Sequence, residues 1–156
     1  MIAINIPGFK SIQATRLVLD YNGTLAIDGL LIPGVKELLD SLAGNMEIHV
    51  ITADTFRKAE DELRNIECTI VVLTGENQAN KKADCISKLG AEKVIAVGNG
   101  RNDALMLKNA ALGIAVIQQE GASKEAVLNA DIICNDIKDA LELMQKPLRL
   151  IATLRN

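Results

Sequence analysis

Aromatic residues are almost missing from this chain: its 156 residues include no Trp, one Tyr and two Phe. A nucleic-acid surface would find few rings for base stacking, and no long basic run offers a phosphate track, so nucleic-acid binding is not expected. Long apolar runs are lacking too. No stretch reaches the roughly 18 apolar residues of a spanning helix, and no membrane association is expected. The three cysteines, Cys68, Cys85 and Cys134, are odd in number and far apart. Without a Cys-x-x-Cys or a Cys/His cluster they argue against a disulfide framework or a zinc site, and for thiols kept reduced. The start, Met1 to Lys10, has neither a basic opening nor a long apolar stretch, so no secretory leader is expected and the cytoplasm is the expected location.

What remains is aliphatic. Apolar residues make up 49% of the chain and the formal net charge is −3. A core of Val, Ile, Leu and Ala suits a parallel sheet covered by helices on both faces. The pattern along the chain agrees. A short strand over Ile2–Ile6 meets Pro7-Gly8, and Ile12–Leu19 pairs with it or forms the first buried strand. Asp28-Gly29 signals a hairpin within 22–32. Pro33 opens a helix to Ala43, in the first-turn position proline favours. Strands follow at Glu47–Ala53, Cys68–Leu73, Val94–Val97, Gly113–Ile117 and Asp131–Cys134. Helices lie between them at Phe56–Asn65 (with Asp54 and Thr55 as caps), Ala79–Leu89, Ala104–Ala110 and Ser123–Asn129, then at Asp136–Met144. Pro147–Leu154 forms a basic, apolar tail that packs on its own sheet or on a neighbouring subunit. Strand and helix alternate five times, which predicts an α/β fold: one doubly wound, Rossmann-like domain over 1–156 with a mainly parallel sheet.

The stretch Leu17-Val-Leu-Asp-Tyr-Asn-Gly-Thr-Leu25 carries the most chemistry. A buried strand ends in Asp20 and a glycine turn follows, which delivers the carboxylate to the carboxyl edge of the sheet, where ligands bind in such folds. Asp20 alone could simply cap a turn. Other strands also end in polar groups: Thr52, the loop before Lys82, and the loop Gly98-Asn-Gly-Arg-Asn-Asp103. Together they offer a nucleophile, a hydroxyl, a cation and an acidic loop, the set that phosphoryl transfer requires.

These motifs, in this order, resemble the haloacid dehalogenase superfamily of aspartate-nucleophile phosphotransferases. Asp20-Tyr-Asn-Gly-Thr24 resembles its first motif, Asp-x-Asp-Gly-Thr, and Thr52 closing His49-Val-Ile-Thr resembles the second. Lys82-Ala-Asp-Cys-Ile-Ser-Lys-Leu89 resembles the third, and the Gly98–Asp103 loop resembles Gly-Asp-Gly-x-Asn-Asp. More narrowly, residues 16–135 resemble the phosphorylation domain of P-type ATPases and the small soluble P-type ATPase-like proteins.

The resemblance implies a Mg2+-dependent phosphohydrolase or phosphotransferase acting on a small phosphorylated substrate. Asp20 becomes an aspartyl phosphate. Asn22, Gly23, Thr52, Ala53 and Lys82 hold the phosphoryl group, while Asp20, Asn22, Asn99 and Asp103 hold the metal, with Asn102 supporting. It also implies a short flap hairpin, no cap domain and an open site, which a dimer or tetramer could close.

Two positions depart from the family pattern. Asn22 stands where phosphatases carry an acid–base aspartate, a loss worth on the order of 10²–10⁴ in rate. Asn99 stands where an aspartate binds Mg2+, which weakens the metal site. A slow enzyme is the first reading; a phosphate-binding regulatory module and a partner-dependent phosphotransferase are the alternatives. Lys81 rivals Lys82, Arg101 faces substrate or solvent, Asp54 caps a helix or edges the site, and His49 is read as structural.

Overall fold

The computed structural model describes residues 1–53 and 58–156. The expected caps Asp54 and Thr55 and the helix start at Phe56 lie outside the described residues.

The sheet is built from six strands: β3 (Arg16–Asp20), β6 (Glu47–Thr52), β7 (Thr69–Val72), β8 (Val94–Gly98), β9 (Leu112–Val116) and β10 (Ile132–Cys134). Their order is β10-β9-β8-β3-β6-β7, and every neighbouring pair is parallel. From the central β3 the chain moves outward through β6 and β7, then returns to the other side for β8, β9 and β10. The order therefore reverses around β3, and the crevice above it is the topological switch point of an open α/β sheet.

Side chains alternate across the sheet with period two. Leu17 and Leu19 of β3 join one core layer with Val50, Val97 and Ile114; Val18 joins the opposite layer with Ile51, Ala96 and Ala115. The first layer is covered by α1 (Val35–Ala43) and α6 (Ile137–Gln145), through Val35, Leu39, Leu42, Ile137 and Leu141. α2 (Lys58–Leu63) adds Ala59 and Leu63 to it. The second layer is covered by α3 (Gln78–Lys88), α4 (Ala104–Asn109) and α5 (Lys124–Asn129), through Ile86, Met106, Leu107 and Ala126. Strands buried on both faces need continuous aliphatic runs, and this chain has them.

Two antiparallel hairpins flank the sheet: β1 (Ile2–Asn5) with β2 (Ser11–Ala14), and β4 (Ala26–Ile27) with β5 (Leu30–Leu31). The second is the flap. Its tip residues, Asp28 and Gly29, both have positive φ, and the buried Tyr21 hydroxyl donates to Gly29 O at 3.0 Å. Among the described residues only α2 and β7 separate β6 from α3, so no cap module interrupts the fold there.

One expectation is corrected. Pro33 does not begin α1. Val35 N–H donates to Ile32 O at 3.1 Å, and Gly34 has φ 89°. Ile32-Pro33-Gly34-Val35 is thus a tight turn with the Pro-Gly order of type II, and the helix starts only after it. The basic, apolar tail, given no secondary structure from the sequence, is helix α7 (Pro147–Leu154). It lies against β1 and α6 with Leu150 fully buried, and Asn156 N–H donates to Pro7 O at 3.1 Å. Leu150→Ala is expected to cost about 2–5 kcal/mol, as large-to-small changes in a core do. The shift in the urea midpoint measures it.

Candidate active site

Register sets the site. Leu19 of β3 pairs with Val50 of β6 and Val97 of β8, so Asp20 stands level with Ile51 and one step short of Thr52. Three neighbouring strands thus end along one line, followed by the Tyr21–Ala26 turn, Ala53 and the Gly98–Asp103 loop. Thr52 is buried there, whereas Asn22 and Ala53 are exposed at the mouth.

α3 enters the same crevice. Lys82 comes from its second turn and is 1% exposed; its Nζ lies 2.5 Å from Asp20 Oδ1 and 2.6 Å from Asp103 Oδ1. Asp20 is 7% and Asp103 0% exposed. A buried ammonium is thereby shared between two carboxylates from different strand ends. Thr24 Oγ1 donates toward the other oxygen of Asp20, Oδ2, at 3.2 Å, and lies 3.3 Å from Asn99 Oδ1. Asp103 Oδ2 accepts the N–H groups of Asn99 and Gly100 at 3.0 and 2.8 Å, which shapes the loop after β8.

Close packing leaves no room for side chains at two glycines. Gly23 has φ 78°, and a Cβ there would lie 2.4 Å from Asn99 Nδ2. A Cβ on Gly98 would lie 2.6 Å from the Asp103 carboxyl carbon. Both positions require a residue without one.

The charges explain the protonation states. Burial pushes the Asp20 carboxyl up from 3.8 to about 7; Asp103 adds to the rise, while Lys82 and Thr24 oppose it. Burial pulls the Lys82 ammonium down, but Asp20 and Asp103 outweigh it and hold its pKa above the usual lysine value. An ionised Asp20 leaves the trio with a net charge of one negative, a setting that favours a cation.

Of the two candidate lysines, Lys82 faces Asp20, whereas Lys81 turns away and donates to Thr74 O. Asn102 is half-buried in its loop, and Arg101 points to solvent, 3.5 Å from Glu125. His49 sits mid-strand on β6, its pKa lowered by burial against the opposing pull of Glu47. The Gly23 N–H donates to Ala26 O at 2.8 Å and closes the turn. Asp103 divides its two oxygens between Lys82 and the loop amides.

Sequence reading passed over Thr24 as a ligand of Asp20, although the hydroxyl stands in the first motif. It also passed over Gln118, just beyond β9, whose amide reaches the Tyr21–Ala26 turn. The rule that strand ends converge at this edge, applied to β9, would have found it.

Among the described residues no three His, Cys, Asp or Glu side chains are grouped for a metal. The donors near Asp20 are oxygens: its own carboxylate, the Thr24 hydroxyl and the Asn99 amide. One carboxylate with neutral oxygens fits Mg2+, which keeps several waters and needs few protein ligands.

A sequence model of the haloacid dehalogenase-like hydrolases matches residues 3–111. Over 127 residues, 79% of this chain, the sequence is 32% identical to "Probable copper-exporting P-type ATPase" of Archaeoglobus fulgidus; the match spans 15% of that protein. Over 65 residues it is 54% identical to an uncharacterized protein of Methanocaldococcus jannaschii, covering 42% of this chain and 70% of that one. Among solved structures, 3-deoxy-D-manno-octulosonate 8-phosphate phosphatase from Moraxella catarrhalis, in complex with magnesium, phosphate and KDO, superposes with a TM-score of 0.71. That match covers 91% of this chain and 94% of the phosphatase at 15% identity, so it is a likeness of fold.

Lys82→Met removes the shared ammonium and leaves two buried carboxylates unpaired. The expected cost at pH 8 is about 3–5 kcal/mol, and less at pH 5, where Asp20 takes a proton; urea titrations at the two pH values measure both. The raised Asp20 pKa has its own signature. The native state keeps that proton longer than the unfolded chain, so the metal-free protein loses stability as pH rises from 3.8 to about 7. Asp20→Asn is expected to remove this slope, as read from melting temperature against pH.

Proposed function

The chain belongs to the haloacid dehalogenase-like hydrolases, and we propose that it is a Mg2+-dependent phosphohydrolase or phosphotransferase with Asp20 as its nucleophile. The observation that carries this reading is the buried Asp20–Lys82–Asp103 chain at the switch point of the sheet.

In the first step a carboxylate oxygen of Asp20 attacks phosphorus in line. The Asp20–phosphorus bond forms and the bond to the leaving oxygen breaks. Lys82 fixes the carboxylate and offsets charge gathering on the phosphoryl oxygens. Thr24 holds the second oxygen of Asp20, and Thr52 borders the same pocket from the next strand. Asp103 keeps Lys82 in place and so acts through it. Asp20, the Asn22 carbonyl and the Asn99 amide oxygen would hold Mg2+, which supplies positive charge beside the transferring group. In the second step water attacks phosphorus, inorganic phosphate leaves and Asp20 is restored.

Asn22 shapes the rates. Its amide has no proton to give a leaving group and no basic site for the attacking water. Substrates with weakly basic leaving groups, such as aryl phosphates and phosphoanhydrides, suit the first step, and release of the aspartyl phosphate is slow.

A second reading has an observation of its own. The Asn99 amide is oriented through its nitrogen: Nδ2 donates to Gly121 O at 2.9 Å, while Oδ1 lies 3.3 Å from the Thr24 hydroxyl. A carboxylate would set an oxygen against the Gly121 carbonyl. The amide is therefore built into this site, as expected of a module that holds phosphate without turning it over.

Kinetics separates the two. Mg2+-dependent hydrolysis of p-nitrophenyl phosphate is expected to vanish in Asp20→Asn. It is expected to rise in Asn22→Asp by up to about 10², within the usual range for acid–base help. Wild-type activity equal to that of Asp20→Asn, alongside phosphate binding by calorimetry, favours the binding module.

A further inference from the structure

We infer that Gln118 is a positioning residue for the nucleophile turn, an inference that rests on the reading of Asp20 as the nucleophile. Gln118 follows β9 and is half-buried. Its Nε2 donates to two main-chain carbonyls of the turn after Asp20, Gly23 O at 2.9 Å and Thr24 O at 2.8 Å. Its Oε1 accepts the N–H of Ile137, the first residue of α6, at 2.8 Å. One side-chain amide thus uses both its donors and its acceptor on three main-chain groups from two separate segments.

Gly23 and Thr24 are buried, so their carbonyls need partners, and Gln118 supplies one to each. The coupling to chemistry runs through Thr24. Its peptide carbonyl is held by Gln118 while its hydroxyl holds Asp20 Oδ2. If the Thr24 peptide rotates, the hydroxyl leaves Asp20 Oδ2. Gln118 is itself fixed: Gly121 N–H donates to its main-chain O at 2.8 Å, closing a turn beside the site. Asp20 is therefore oriented from two sides, by Lys82 on one oxygen and by the Gln118–Thr24 relay on the other.

Two variants separate the bonds. Gln118→Glu keeps an acceptor for Ile137 N–H and loses both donors to the turn. Gln118→Met keeps the length and loses all three bonds. Amide hydrogen exchange needs no turnover. In both variants it is expected to quicken at least about tenfold at Gly23, Thr24, Leu25 and Ala26 while β3 and β8 amides stay unchanged, the pattern of local opening.

With p-nitrophenyl phosphate and Mg2+, the Asp20-dependent kcat is expected to fall about tenfold in both variants, with KM within about twofold, the split of an interaction that orients rather than binds. A merely structural role would lower the melting temperature and speed exchange throughout the sheet, with kcat per folded molecule unchanged; that result overturns the inference. Wild-type exchange and kcat in Gln118→Glu overturn it too, since only the bond to Ile137 would then matter. Faster exchange confined to the turn, with no Asp20-dependent turnover even in the wild type, removes the nucleophile reading and upholds the clamp.

Discussion

The ammonium of Lys82, buried between Asp20 and Asp103, is the interaction on which the rest of this structure depends. Taking three charges out of water is expensive, and their mutual attraction repays it only with close geometry and further hydrogen bonds. Thr24 and the N–H groups of Asn99 and Gly100 provide those bonds. The trio therefore adds little to net stability, yet it demands that β3, α3 and the loop after β8 converge within hydrogen-bonding distance. The Asp20 carboxyl, pushed up to about 7, records burial and the nearby Asp103 charge, offset in part by Lys82 and Thr24.

The sheet makes that convergence possible. With β3 central and flanked by β6 and β8, the strand order reverses around β3, which leaves a crevice above Asp20. Both faces of the sheet are sealed by aliphatic layers, so the polar groups collect at the open edge. The flap stands beside this edge, tied by the Tyr21 hydroxyl and by Asp28 N–H donating to Glu120 at 3.1 Å.

Much of this was legible in the sequence because the strands are short, aliphatic and punctuated. The alternation of strand and helix predicted the doubly wound sheet, and Asp28-Gly29 predicted the flap turn. Asp20, Thr52, Lys82 and Gly98–Asp103 stood out as polar groups at strand ends or at the start of a helix. Legibility failed where tertiary contacts decide. Pro33 reads as a helix opener until Gly34 takes a left-handed conformation and makes Pro-Gly a turn. Pro147–Leu154 becomes a helix because Leu150 finds the cleft beside β1 and α6. Lys81 and Lys82 differ only by burial, which α3 packing assigns. Gln118 carries no motif, and its three bonds exist only once β9, the Asp20 turn and α6 have met.

The most direct test of the account is to look for the covalent intermediate. Freshly purified protein, incubated with Mg2+ and p-nitrophenyl phosphate and quenched in acid, is digested and read by mass spectrometry. The account predicts one added phosphoryl group on the peptide containing Asp20, absent in Asp20→Asn and longer-lived in the wild type than in Asn22→Asp. Turnover that depends on Mg2+ but leaves Asp20 unmodified at every quench time, and persists in Asp20→Asn, would contradict it.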